Sequence, residues 1–469
     1  MTRSFNLVAL FGCLVATLPL HATIIRVPAD QPTIQAAINS ASNADTVVVY
    51  PGTYYENIIF RGKKIVLSSR FYETGDLGFI QTTIINGSKP LYSDTASCVL
   101  FINGEDSTTV LQGFTITGGH GTKWPDEHGA GTYREGGGIL SAKSDPTIRY
   151  NLIINNEATN TSGVVSSGGG GIRAGDGNPS ILSNVIIANK GRYGAGIVLN
   201  FTGAIVRNNI ITNNSGGQDY GGGALWMNAN GSFGKFIENN TIVGNQVTGV
   251  YVYQGSSVIR NSVIWDNSSA QISARTGGPT VTFSDVQCGI AGNGNLNLDP
   301  LFADSSYYLN TNSPCIDAGD SSTIYNDLPD PASPGKAIPP SEGSFRNDMG
   351  AYGGPGAAVL PAFSPTTVIR SQKHASPSGF QLEQNYPNPF NPSTTINYRL
   401  PKNSRVTLKV YDVLGREVKT LANKFQKMGR YQVKFDGSGL SGGVYFYRLV
   451  AADDNGKNFT SVKKLTVVK

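Results

Sequence analysis

Charge, cysteine, histidine and long apolar runs are all scarce in this sequence, and each scarcity removes a class of protein. Only 15% of the 469 residues are charged, against 39% hydrophobic residues and 57 glycines. That balance excludes a disordered, solvating chain and points to many short strands joined by tight turns. The glycines show no period of three, which excludes a collagen-like fibre. Beyond residue 22 the histidines are His120, His128 and His374. No zinc-ligand spacing can be drawn from them, and no metal is expected. No stretch after Ala22 approaches the roughly 18 apolar residues of a membrane helix, so no transmembrane segment is expected in the mature chain.

At the N-terminus a charge at Arg3, an apolar run from Phe5 to Leu20 and the small Ala22 before Thr23 read as a signal peptide over residues 1–22. A lipoprotein reading of Leu10, Phe11, Gly12 and Cys13 is the alternative, although Phe11 is bulky for that motif. Cleavage after Ala22 leaves Cys98, Cys288 and Cys315. Cys288 and Cys315 could pair across a loop in an oxidising compartment, whereas Cys98, followed by Val99, Leu100 and Phe101, reads as a small buried hydrophobe.

The net charge of +5 is unevenly placed. Residues 380–469 hold 15 Lys and Arg against 6 Asp and Glu, while residues 23–379 hold 21 against 26. In the basic part the charges alternate with apolar residues, as in KVYDVLGREVK, which describes the wet face of a sheet rather than a nucleic-acid site. No nucleic-acid function is expected.

Internal repetition decides the fold of the long N-terminal part. NLIINN from Asn151, NVIIAN from Asn184, NNIITN from Asn208, NTIVGN from Asn240 and NSVIWD from Asn261 share one frame, and GFTITG from Gly113 keeps it with glycines. Before each frame lies a second element: GGGIL, GGGIR, GAGIV, GGALW or TGVYV. Three short strands per repeat of roughly 20 to 33 residues is the length of one coil of a parallel β-helix, too short for a four-stranded propeller blade. Stacking predicts about nine or ten coils with Ile139, Ile172, Ile197, Leu225 and Val250 pointing inward. Asn tolerates the left-handed corners of such coils and its amide can bond its counterpart on the next coil, so Asn151, Asn184, Asn208, Asn240 and Asn261 are expected to form a structural ladder. Thr33 to Ala41, with Ile34, Ala37 and Ile38 on one face, predicts a short helix capping the first coil. From Asn293 to Gly354 the repeat gives way to a loop-rich closing region.

These coils resemble the pectate-lyase-like superfamily of right-handed β-helices, with VPADQPTIQAAINSA and DTVVVYPGTYYENI matching its usual first coil and the likeness running from about Thr23 to Ala291. NLDPLFAD, SPCIDAGD and RNDMGAYGG look like the terminal region of extracellular β-helix proteins of the choice-of-anchor type. From about Gln381 to Lys469 seven strand candidates with period-two alternation appear. NYPNPFNPSTTINYRLP, VYDVLGREVKTL and GVYFYRL resemble the type IX secretion C-terminal sorting domain. That resemblance implies an immunoglobulin-like β-sandwich, recognition by the type IX machinery, passage across a Gram-negative outer membrane, and release or attachment at the cell surface. Tyr386 and Asn388 would then be recognition or folding residues. The expected organisation is an all-β chain: leader 1–22, right-handed parallel β-helix 23–354, linker 355–380 and sandwich 381–469.

Two sets of residues are candidates for function. On the strands that carry the inward aliphatics, the next positions face outward. Arg173, Trp226, Tyr251, Tyr253 and Arg275 are therefore expected to form a solvent-facing strip that suits a polysaccharide or cell-surface glycan, the rings stacking on sugar faces and the guanidinium groups bonding hydroxyls or carboxylates. The insertion HGTKWPDEHGAGTYRE overhangs the same face and is dense in ionisable groups. A lyase or hydrolase of an acidic glycan would draw its base or its charge-stabilising cation from Lys123, His128 or Arg134. The Gly-His-Gly at 119–121 resembles one element of polygalacturonases, but the aspartate pair that accompanies it there is missing. The repeat strands offer Asn and Gly where Ca2+-dependent pectate lyases place carboxylates, so no cofactor is implied and a Ca2+ site has no support. The binding reading is preferred, with the enzyme as the alternative.

Overall fold

In the computed structural model the described residues are 22–229, 236–363, 380–382, 384–385, 388–426, 429–453 and 458–468. The chain divides into two compact units, 1–368 and 369–469. The leader and most of the proposed linker lie outside the described residues, as does Tyr386.

The first unit is a stack of parallel coils with three sheets. The front sheet contains Val99–Phe101, Ile139–Ala142, Ile172–Gly175, Ile197–Asn200, Leu225–Ala229 and the start of Val250–Arg260. The side sheet contains Thr147–Arg149, Ser180–Leu182, Ile205–Arg207 and Phe236–Glu238, and the back sheet is nine strands that include Leu152–Ile154, Val185–Ile187, Ile210–Thr212, Thr241–Val243 and Val263–Trp265. Register follows the aliphatic repeat: Ile139 pairs with Ile172, Ile172 with Ile197, Ile197 with Leu225 and Leu225 with Val250. All five are fully buried, as are the matching stacks Ile148, Ile181, Val206, Ile237 and Ile259 on the side sheet and Ile153, Ile186, Ile211, Ile242 and Ile264 on the back sheet. Each coil leaves its upper and lower edges to its neighbours, so β-branched residues at one register fill one continuous core. The glycine runs permit this stacking beside the front strands, since a Cβ on Gly137 would lie 2.3 Å from the Gly170 carbonyl oxygen.

The asparagines form two ladders rather than one. At the corner from side sheet to back sheet the ladder is Asn151, Asn184, Asn209 and Asn240, continued by Ser262 and Ser284. Five residues later in each coil a second ladder runs through Asn156, Asn189, Asn214, Asn245 and Asn267. Asn184 shows the saturation: its Oδ1 accepts from the backbone N–H and the Nδ2 of Asn151, and its Nδ2 donates to the Ile148 oxygen and to Asn209 Oδ1. The expected ladder is therefore corrected at Asn208 and Asn261. Both hold the left-handed conformation, φ 56° and 51°, one residue before the ladder position. Asn tolerates left-handed backbone as readily as it fills an amide ladder, so the doublet Asn208-Asn209 fits the frame in two ways.

A short helix, Ile34–Ser40, covers the first coil with Ile34, Ala37 and Ile38 buried, and Thr33 caps it by accepting from the Ala36 N–H. Glu56 completes the cap, its two oxygens accepting from the N–H groups of Ile34 and Gln35 at 2.9 Å each. The closing region begins on the last coil, where Leu296 bridges Asp285 and Asn295 Oδ1 accepts from the Ser284 N–H, and its remainder leaves that end. It runs back along the outside of the back sheet, where Tyr307, Leu309, Met349 and Tyr352 pack on Leu152, Val185, Ile210 and Val263. The left-handed corner residues dock it: Asn208 Nδ2 donates to the oxygens of Ala351 and Gly353, Asn239 Nδ2 to Asn347 Oδ1 and the Asp348 oxygen, and Asn261 Oδ1 accepts from the Asp320 N–H. All three described cysteines are free, so Cys288 and Cys315 do not pair. Cys288 is exposed, while Cys315 is buried with its thiol 3.3 Å from Asp285.

Among its described residues the second unit is a sandwich of seven antiparallel strands. Gln381–Leu382, Ser393–Leu400 and Gly429–Asp436 form one sheet, and Ser404–Tyr411, Glu417–Gln426, Gly443–Asp453 and Asn458–Val467 form the other. Alternate residues such as Val406, Leu408 and Val410 fill its core against Tyr447 and Leu449. Asn388 ties a loop to the last strand, its Oδ1 accepting from the Thr466 N–H at 2.8 Å and its Nδ2 donating to the Lys464 oxygen.

Candidate functional site

The insertion after the coil of Thr115–Thr117 folds into a hairpin, Gly121–Pro125 paired antiparallel with Thr132–Glu135. It lies over the outer side of the front sheet. Its turn carries Asp126, whose Oδ1 accepts from the N–H groups of His128 and Ala130, and Glu127, which Trp124 Nε1 reaches at 2.8 Å.

This cover overturns the expectation of a solvent-facing strip. The register itself is as inferred, since Arg173, Val198, Trp226 and Tyr251 lie side by side on successive strands. Yet Arg173 is 0% and Trp226 5% exposed. Arg173 is sealed beneath the hairpin by two carboxylates: its Nη1 and Nη2 donate to Glu127 at 2.8 and 2.6 Å, and its Nε lies 3.0 Å from Glu135. Burial would lower the guanidinium pKa, but Glu135 and Glu127 raise it above its ordinary value. Burial would likewise raise Glu127, and Arg173 holds that carboxyl below its usual range. For Glu135 burial prevails and the carboxyl is pushed up, against the opposing pull of Arg173 and of the Tyr193 hydroxyl that donates to it at 2.6 Å. Tyr251 and Tyr253 are half-buried, and Arg275 lies at the rim with its guanidinium 4.6 Å from the centre of the Tyr253 ring.

The three candidate ionisable residues separate. Lys123 pairs with Asp94 at 3.1 Å, and the guanidinium of Arg134, 5% exposed, donates to the oxygens of Ser93 and Gly121, so both knit the hairpin to its surroundings. Of the three, His128 lines the cavity between hairpin and front sheet. It stacks on Phe201 with centroids 3.9 Å apart, and its Nε2 lies 3.0 Å from Asp176 Oδ1.

That cavity, of about 210 Å³, is bounded by Asp126, His128, Tyr133, Glu135, Tyr193, Phe201, Tyr220, Trp226 and Tyr253, with Asn200 and Asn228 at its floor. The rings support one another: Trp226 lies 5.1 Å from Tyr193 and 5.4 Å from Tyr253, and Tyr220 meets Tyr193 and Tyr253 edge-on at 5.4 and 5.7 Å. Trp226 spends its N–H on the Tyr220 oxygen. Tyr133, Tyr193 and Tyr220, together with Asp126 and Glu135, were absent from the sequence-derived strip. Their signal was present nonetheless, since a tyrosine stands shortly before three of the four glycine runs of the front strands, in TYREGGGI, RYGAGI and DYGGGAL, the run at 168–171 being the exception. A cavity walled by rings with a few convergent polar groups is the usual form of a small-ligand site. Among the described residues no three His, Cys, Asp or Glu side chains converge as metal ligands, and no helix is long and apolar enough to cross a membrane.

Two family models match the chain: a right handed beta helix region over residues 167–287, and a secretion system C-terminal sorting domain over residues 384–468. Among solved structures, one titled "Crystal structure of pectin methylesterase in complex with hexasaccharide VII" aligns at 11% identity and a TM-score of 0.29, covering 57% of this chain and 71% of that one. None of the curated proteins matches. A sorting domain of this kind marks a chain for secretion or display at the cell surface by the type IX machinery. The chain is a right-handed parallel β-helix protein that ends in a type IX secretion sorting domain.

Proposed function

We propose that this secreted or cell-surface β-helix binds a polysaccharide, holding one sugar unit in the ring-walled cavity beneath the hairpin 121–135. The observation that carries the reading is the convergence of Tyr133, Tyr193, Tyr220, Trp226 and Tyr253 on one cavity. Pyranose C–H faces pack on aromatic faces, and the amides of Asn200 and Asn228 lie where hydroxyls would need partners. Export begins with the leader 1–22 and is completed through the sandwich. An array of neutral, acidic and amino glycans probed with the mature protein tests the reading, with the double variant Tyr220→Ala, Tyr253→Ala alongside. Loss of two central aromatic anchors is expected to cost about 2 kcal/mol or more of binding. Wild-type protein that retains no glycan, or a double variant that retains every one equally, would overturn it.

A second reading, hydrolysis in the same cavity, draws on one observation. Asp126 and Glu135 both line it, and burial raises the Glu135 carboxyl, the direction that a general acid requires. New reducing ends appearing with wild-type protein but not with Glu135→Gln would support it.

A further inference from the structure

We infer that the cavity selects an amino sugar, a pyranose carrying a protonated primary amine, over neutral or uronate sugars; the inference rests on the glycan reading above and names the residue recognised. Two carboxylates, Asp126 and Glu135, line the cavity, and among the described residues no lysine or arginine does. Two guanidinium groups lie next to the lining: Arg173 is wholly buried behind it and is shared by two carboxyl groups, Glu127 and Glu135, and the exposed Arg275 is spent on the Tyr253 ring. Asp126 adds a further carboxyl group at the mouth, where it meets only an amide donor, Asn200 Nδ2 at 3.4 Å, besides the backbone of its own turn.

Besides the amides of Asn200 and Asn228 and the His128 ring, the remaining walls are chiefly the faces and edges of tyrosine, tryptophan and phenylalanine rings, whose quadrupoles attract cations, most strongly where water is excluded. A uronate carboxylate would meet Asp126 and Glu135 here, with no lysine or arginine among the described lining residues and with the one lining imidazole, His128, already placed against Asp176. A protonated amine finds carboxylates and rings together, while the pyranose body finds the same rings as apolar surface. The volume of about 210 Å³ suits one pyranose ring and its substituents.

Calorimetric titration of the full chain with tetrasaccharides of glucosamine, N-acetylglucosamine, glucose and galacturonate tests the inference, with tetramethylammonium as a sugar-free cation. Glucosamine oligomers are expected to bind about tenfold or more tighter than the N-acetylated and neutral ones, as a desolvated cation–ring contact allows, and galacturonate oligomers not to bind. Asp126→Asn and, separately, Tyr253→Leu should each weaken glucosamine binding with the unfolding temperature held. Equal binding of glucose and glucosamine oligomers, or preference for galacturonate, would overturn the charge selection and leave the glycan reading intact. Binding of tetramethylammonium without any sugar would overturn the glycan reading and keep the cation site. Binding of none of the probes would remove both.

Discussion

The front sheet and the back sheet of the β-helix are both covered by chain that is not part of the coils, and the two covers are held by different forces. In front, the hairpin 121–135 is clamped by a buried guanidinium between two glutamates, and a cavity remains between hairpin and sheet. Behind, the chain after residue 298 lies down through Tyr307, Leu309, Met349 and Tyr352, all less than 10% exposed, with Asn208, Asn239 and Asn261 as amide ties. Apolar side chains gain by closing every gap, whereas an ion cluster fixes a cover at a few points and leaves the space between them to be lined for a ligand. On the proposed reading the front cover holds the ligand, while the back cover closes apolar surface.

Removing the clamp should produce the largest effect. Arg173→Met leaves Glu127 and Glu135 buried without their cation, which is expected to cost about 3–5 kcal/mol, the usual penalty for breaking one side of a buried pair. Denaturant unfolding measures the loss, and proteolysis should cut the hairpin before the coils. A fall below 1 kcal/mol would mean that the glutamates take up protons or water cheaply and that charge does not hold the front cover.

Two neighbouring asparagines separate coil from back cover. Asn209→Leu removes a ladder rung and strands buried partners on both adjacent coils, an expected loss of about 3 kcal/mol or more when several hydrogen bonds go at once. Asn208→Gly keeps the left-handed corner and loses only the bonds to Ala351 and Gly353, expected at roughly 1–2 kcal/mol. Protection of residues 347–354 from hydrogen exchange should fall in the second variant while that of the core strands holds. Equal losses at the two positions would erase the distinction between rung and dock.

A separate effect concerns pH and belongs to the back cover. Burial raises the Asp327 carboxyl to about 7 and the Asp348 carboxyl to about 8, the latter also through repulsion by Asp327. Both values exceed the unfolded value near 4, so the folded state holds protons that the unfolded chain has released. Their contribution is complete below about pH 4 and disappears as the pH rises through about 7 to 8. The melting temperature should be lower at pH 8.5 than at pH 5.5, and Asp348→Asn should flatten that difference. An unchanged slope in the variant would place the pH dependence elsewhere.

Much of the fold was legible because it is written at fixed periods. The aliphatic stack from Ile139 to Val250, the helix behind Thr33 and the seven sandwich strands each follow from alternation, from a capping residue or from turn residues acting over a few positions. The site was legible only in part. Outward orientation at Arg173 and Trp226 follows from alternation, but their burial depends on a hairpin some forty to a hundred residues away, and period-two logic carries no information about what a distant insertion covers. The same limit explains the closing region, whose resting place on the back sheet is set by residues in many different coils.

The two amide ladders bear on how such a protein can change. Successive rungs of the first ladder lie 33, 25, 31 and 22 residues apart, yet the second ladder always follows the first by five residues. All variation in coil length therefore falls outside the two pinned corners. Chain can be added to or removed from the remaining arc, the arc that supplies the hairpin and the tyrosines of the cavity, without shifting any strand against its neighbours. A scaffold of this kind separates heritable novelty from structural risk, because new loops over the front sheet can be tried one coil at a time.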